Sequence, residues 1–204
     1  MNSRTYAFVM TGLSFVGLAV AIYVMSFQSA RNGTLQVEME KTLPVLGQLS
    51  DFSLTNQNNQ SFGLEDLDGK YWVADFIFTT CSGICPVMSN HMAEIRNAFR
   101  GESQLNFVSI SVDPDTDTPE VLMDYASSYD AGDRWHFLTG ETESVQSLAV
   151  QGFKIGNGND PLNHSPYFVL VDPKGQIRGY YNGTETDEVE EITADVRALL
   201  ANSL

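Results

Sequence analysis

An apolar run from Tyr71 to Phe78 leads into Thr79 and Thr80, then Cys81, three further residues, Cys85 and Pro86. These are the only two cysteines in the chain. The run has the length and β-branched and aromatic content of a buried strand, whereas Val87 to Phe99 carries apolar residues at helical spacing with few breakers. Pro86 suits the first position of that helix, where a missing N–H costs nothing. Strand, short loop, thiol pair and helix N-terminus follow one another within about 30 residues, a signature of α/β architecture. Thiols at a helix N-terminus meet unpaired backbone N–H groups and the positive end of the macrodipole, so the thiolate is favoured. Residues at i and i+4 have Cα atoms about 6 Å apart if helical, close enough for a disulfide or for two ligands on one ion. The spacing does not choose between these uses.

A chain of 204 residues accommodates one domain of ordinary size and an appendage. Its formal net charge is −15, with 26 acidic against 11 basic residues and no basic stripe to neutralise phosphates, which argues against nucleic acid as a partner. Between Arg4 and Arg31 no charged residue occurs, and Tyr6 to Phe27 is mostly apolar. At about 1.5 Å per residue this stretch reaches roughly 33 Å as a helix, enough to cross a hydrocarbon core. It is long for the apolar core of a cleaved signal, and Gln28–Ser29–Ala30 matches a cleavage site poorly. An uncleaved transmembrane anchor is therefore expected over residues 1–30, with a polar linker at 31–44 and a globular domain at 45–204. Arg4 and the amino terminus favour a cytoplasmic N-terminus, so that domain would lie on the extracytoplasmic or periplasmic side of the inner membrane.

Past Val45, Phe52, Leu54 and Phe62 flank the polar tip Asn56–Gln60 as in a hairpin, and Leu64 to Gly69 reads as a short helical turn. Leu105 to Val112 is a second buried strand. The acidic turn DPDTDTP follows at Asp113–Pro119, with Thr118 as N-cap and Pro119 as first residue of a helix reaching about Tyr129. Trp135 to Thr139 reads as a strand, and a helix capped by Thr142 extends to about Val150. Gly152 to Asn163 is a glycine- and asparagine-rich loop, closed by His164, Ser165 and Pro166. Tyr167–Asp172 and Gln176–Tyr181 pair as a hairpin around Pro173–Gly175, before an amphipathic helix from Thr186 to Asn202. This order is that of a thioredoxin-like α/β sandwich, a mixed sheet flanked by helices, with the cysteine pair after a central strand.

Four separated motifs, FTTCSGICP, SVDPDTDTPEVL, LTG at Leu138–Gly140 and HSPYFVLVDPKG, occur in an order that resembles the SCO/SenC family of membrane-anchored copper chaperones for cytochrome c oxidase assembly. The resemblance runs from about Leu46 to Leu200. It implies a copper site, chiefly for Cu(I) and occasionally Cu(II), with Cys81, Cys85 and His164 as ligands. It also implies a copper-receiving oxidase subunit as partner and an upstream copper donor or thiol reductant. Two thiolates and an imidazole form a soft, low-coordinate set suited to Cu(I), whereas Zn(II) seeks a fourth ligand and Mg(II) or Ca(II) seek oxygen. The family's commonest loop has proline after the first cysteine; here Ser82 and Gly83 follow it.

A lone loop histidine is more often a satisfied polar residue than a ligand, so His164 is assigned by the resemblance. Likeness to thioredoxin-like proteins further implies a cis Ser165–Pro166 bond. His91 and His136 read as structural, and Met88 and Met92 as core packing. Asp113 either lies near the metal or caps its own turn; Asp75 is either buried near the cysteines or, more simply, an edge-facing solvated carboxylate. Copper delivery and thiol–disulfide exchange through Cys81 and Cys85 are the competing activities. A peroxidase would need an activating arginine, and none lies between Gly69 and Glu94.

Overall fold

A computed structural model describes residues 23–25, 43–156 and 165–201. The chain divides into two compact units, Met1–Lys41 and Thr42–Leu204. Of the first, residues 23–25 are helical. The expected span Tyr6–Phe27 otherwise lies outside the described residues, among which no helix is long and apolar enough to cross a membrane.

The second unit is a thioredoxin-like α/β fold built on one mixed sheet. Its strands are β1 (Gly47–Gln48), β2 (Ser53–Asn56), β3 (Ser61–Gly63), β4 (Tyr71–Ile77), β5 (Leu105–Ser111), β6 (Trp135–Thr139), β7 (Tyr167–Val171) and β8 (Gln176–Asn182). They lie in the order β1-β8-β7-β4-β5-β6-β2-β3. The pairs β4–β5 and β5–β6 are parallel, and β4–β7, β7–β8 and β2–β6 are antiparallel. Parallel neighbours need crossovers, supplied here by helices α1 (Ile84–Ala98) and α2 (Pro119–Ser128). Helices α3 (Thr142–Ser147) and α4 (Thr186–Ala201) complete the unit.

Side chains alternate across a strand, so β4 divides the core between two faces. Trp72, Ala74 and Phe76 join one cluster with Leu54, Val108, Val145 and Phe153, while Val73 and Ile77 join the other with Met88, Met92, Leu122 and Ile192. The same alternation places Asp75 on the face of Val73 and Ile77, beneath α1. In register beside β4, Ser109 pairs with Asp75 and Ser111 with Ile77. The core on this face thus turns polar toward the C-terminal ends of the two central strands, where α/β sites collect.

Several local expectations are corrected. Helix α1 begins at Ile84 with Gly83 as N-cap, so Pro86 is its third residue; its missing N–H is tolerated throughout the first turn. Glu141, rather than Thr142, is the N-cap of α3, which passes into one π-helical turn, Leu148–Gly152. No cis peptide bond occurs among the described residues, so Ser165–Pro166 is trans, and the Pro166 carbonyl accepts a 2.6 Å bond from the Gly183 N–H. That bond extends the β7–β8 ladder one step beyond Tyr167. Asp75 is fully buried.

Candidate metal centre

Glycine at the N-cap of α1 provides no side chain to accept the first N–H groups of the helix. The Cys81 sulfur takes that role: burial pushes its thiol up, but hydrogen bonds from the Cys85 side chain and the backbone of Cys85, Gly83 and Ile84 outweigh this and lower it overall. Cys81 is partly exposed and Cys85 buried, and both are free thiols. Burial drives the Cys85 thiol up to about 12, against a backbone hydrogen bond from Phe78 and reinforced by Cys81 and by the charge of Asp75. The pair is therefore asymmetric. The outer sulfur is the more readily ionised of the two, and the inner one holds its proton more tightly.

Beneath the sulfurs lies a polar seam centred on Asp75, for which the solvated position is the simpler reading of the sequence and the buried one the alternative. Asp75 has neither carboxylate oxygen in a hydrogen bond of good geometry, and burial raises it to about 7, with neighbouring Ser109 opposing the shift. The Ser109 hydroxyl accepts a 2.9 Å bond from the Trp135 indole, and Ser89 pairs with the Tyr125 hydroxyl at 2.9 Å. Burial also raises the Tyr125 phenol.

The acidic turn supplies a second carboxylate. Asp113 shapes that turn through its backbone: its carbonyl accepts from the N–H groups of Thr116 and Asp117, and its N–H donates to Ser111 Oγ at 3.1 Å. Asp117, four residues on, is fully buried and accepts from Ser111 Oγ at 2.5 Å, from the Thr79 N–H at 3.1 and 3.3 Å and from the Thr79 hydroxyl. Of the two, Asp117 is the one whose carboxylate grips the cysteine loop. The sequence marks it only faintly, as an acid just ahead of the Thr118–Pro119 helix start.

The structure brings Cys81 and Cys85 together; His164 lies outside the described residues. Among the described residues no group of three His, Cys, Asp or Glu side chains is placed to hold a metal ion. His91 Nδ1 lies 2.7 Å from the Gly183 carbonyl, and His136 packs against Phe62 with the rings tilted by 33° and their centroids 4.5 Å apart. Burial holds His136 below the usual imidazole range, against the nearby charge of Asp66. Met88 and Met92 are fully buried in the core.

Comparison with known proteins gives this geometry a family. The SCO1/SenC family model matches residues 45–201. The SCO1 protein homolog of Bacillus subtilis is 36% identical over 162 residues, covering 76% of this chain and 84% of the relative. The solved structure of BsSco, a member of the Sco family of cytochrome c oxidase assembly proteins in which a disulfide switch was identified, is 34% identical with a TM-score of 0.68. That match covers 78% of this chain and 96% of the other. Bradyrhizobium japonicum ScoI, solved with copper bound, is 26% identical with a TM-score of 0.61, over 74% of this chain and 98% of that one. With a family model spanning most of the chain and a relative above a third identical, this protein belongs to the SCO1/SenC family.

Proposed function

We propose that the protein is a copper chaperone that binds Cu(I) through Cys81, Cys85 and His164 and delivers it to the copper site of a cytochrome c oxidase subunit. The observation that carries the reading is the asymmetric thiol pair at the N-terminus of α1, in a family with a copper-bound member. Paired thiolates suit soft Cu(I), and a neutral imidazole suits the same ion. In this reading Cys81 meets the incoming ion first, because it is the more exposed and the more readily ionised. Cys85 then gives up its proton as its sulfur closes on the ion, so loading releases protons. A three-donor site leaves room for a thiolate from the receiving protein, and that opening lets the ion move onward. Residues 1–30 anchor the chain as a single pass in the inner membrane, 31–44 form a stalk, and the domain at 45–204 faces the compartment of the oxidase subunit.

The same asymmetry favours a second reading, thiol–disulfide exchange. Cys81 attacks as thiolate, its sulfur bonds to one sulfur of a partner disulfide, and the partner's other sulfur leaves; Cys85 then displaces the bound sulfur and closes the internal disulfide. Substituting His164 separates the two. His164→Ala should weaken Cu(I) binding at least tenfold against a chelator of known affinity while leaving the disulfide-exchange rate within about twofold. Unchanged Cu(I) affinity would remove His164 from the ligand set.

A further inference from the structure

We infer that Asp117 is a positioning residue for the thiol pair, holding the loop from Phe78 to Cys81 in the arrangement it has with both cysteines as free thiols and so favouring the dithiol over the disulfide. It is fully buried, yet its carboxylate packs against a loop and not a cation. Both oxygens are engaged: Thr79 donates its N–H to them at 3.1 and 3.3 Å and its hydroxyl to one, and Ser111 donates to the other at 2.5 Å. Ser111 in turn receives the Asp113 N–H, so the turn between β5 and α2 and the loop between β4 and α1 form one hydrogen-bonded unit.

This unit acts on the sulfurs through adjacent backbone. The Phe78 carbonyl accepts the Cys81 N–H at 3.2 Å, and the Phe78 backbone hydrogen-bonds the Cys85 sulfur. Thr79 is bonded directly to Phe78 and lies two residues before Cys81. An anchor at Thr79 therefore fixes the carbonyl that orients one cysteine and the amide that orients the other. A buried carboxylate accepting several donors is rigid, because every alternative leaves a desolvated charge or an unpaired N–H. The Thr118 side chain, next along the chain, accepts the Val121 N–H at 3.4 Å, and its carbonyl accepts the Leu122 N–H at 2.9 Å, so these bonds serve its own helix and not the cysteine loop.

The consequence for the proposed copper activity rests on that reading, but the placement of the loop does not, and the experiment needs no copper. The full-length chain, in detergent, is equilibrated with reduced and oxidised glutathione. Two glutathione thiols convert the Cys81–Cys85 disulfide into two protein thiols and yield one oxidised glutathione. With only two cysteines in the chain, the equilibrium reports this pair alone. Asp117→Ala should shift it toward the disulfide by about tenfold, the order of one charge-assisted hydrogen bond. Asp117→Asn, which keeps an oxygen for the Thr79 N–H, should recover part of the shift, and Thr118→Ala should stay within twofold although it removes a helix cap. A shift below twofold for Asp117→Ala, a shift toward the dithiol, or an equal shift for Thr118→Ala would overturn the inference. If Asp117→Ala does not fold, Thr79→Val decides the question by the same criteria. A chain that binds no copper but shows the Asp117 shift would defeat the proposed function and leave this inference standing.

Discussion

At the scale of single residues, the buried acid of β4 makes the most exposed prediction. Asp75 is raised from 3.8 to about 7 by burial, so the folded chain retains a proton that the unfolded chain releases. Its contribution to stability is complete below about pH 4 and is lost as pH rises toward 7, a span worth on the order of 4 kcal/mol. In urea unfolding between pH 4 and 8, Asp75→Asn should flatten that decline; an identical slope in the variant would show that Asp75 is not the group responsible. The simpler reading of the sequence misplaced this residue because an acid within a strand is usually solvated. Only helices covering both sheet faces reveal that its side of β4 is closed to bulk solvent. Asp117 was hidden for a related reason, since its donors lie 38 and 6 residues away and nothing local announces them. The cysteines were legible because helix-terminal thiols are local chemistry.

At the scale of elements, α1 is fixed at both ends, by sulfur at its N-terminus and by Arg134 at its other end. The Arg134 guanidinium donates to the carbonyls of Glu102 at 2.7 Å, Leu105 at 2.8 Å, Phe99 at 3.1 Å and Arg100 at 3.3 Å. These groups follow the last turn of the helix, where carbonyls lack helical partners. Arg134→Ala should cost about 2 kcal/mol in denaturant unfolding, since several charge-assisted bonds are lost from a partly exposed site. The glutathione equilibrium of the cysteines should stay within twofold, because the clamp is remote from them. A loss below 0.5 kcal/mol would show that water replaces the clamp at little cost. Strands β4 to β8 and the four helices could be read from periodicity and from proline and threonine start signals. The two-residue β1 could not, because it carries no periodicity and exists only through pairing Gly47 with Ile177 and Gln48 with Gln176. Nor does the sequence reveal the π turn after α3, which closes through the Phe153 N–H on the Leu148 carbonyl at 2.8 Å. There Phe153 sits edge-on to Trp72 and Phe76, so tertiary packing sets the turn.

At the scale of the whole molecule, a double-faced sheet holds two thiols of opposite character over a polar seam, and the acidic turn after β5 braces the loop that carries them. The net charge of −15 suits a chain that meets cations and other proteins, not nucleic acid. The property that defines this arrangement is the ion it retains. The reduced full-length chain, offered Cu(I) and Zn(II) together, freed of unbound metal and analysed for both, tests it most directly. One equivalent of copper with little zinc is the predicted result; no retained copper, or zinc in preference to copper, would contradict it.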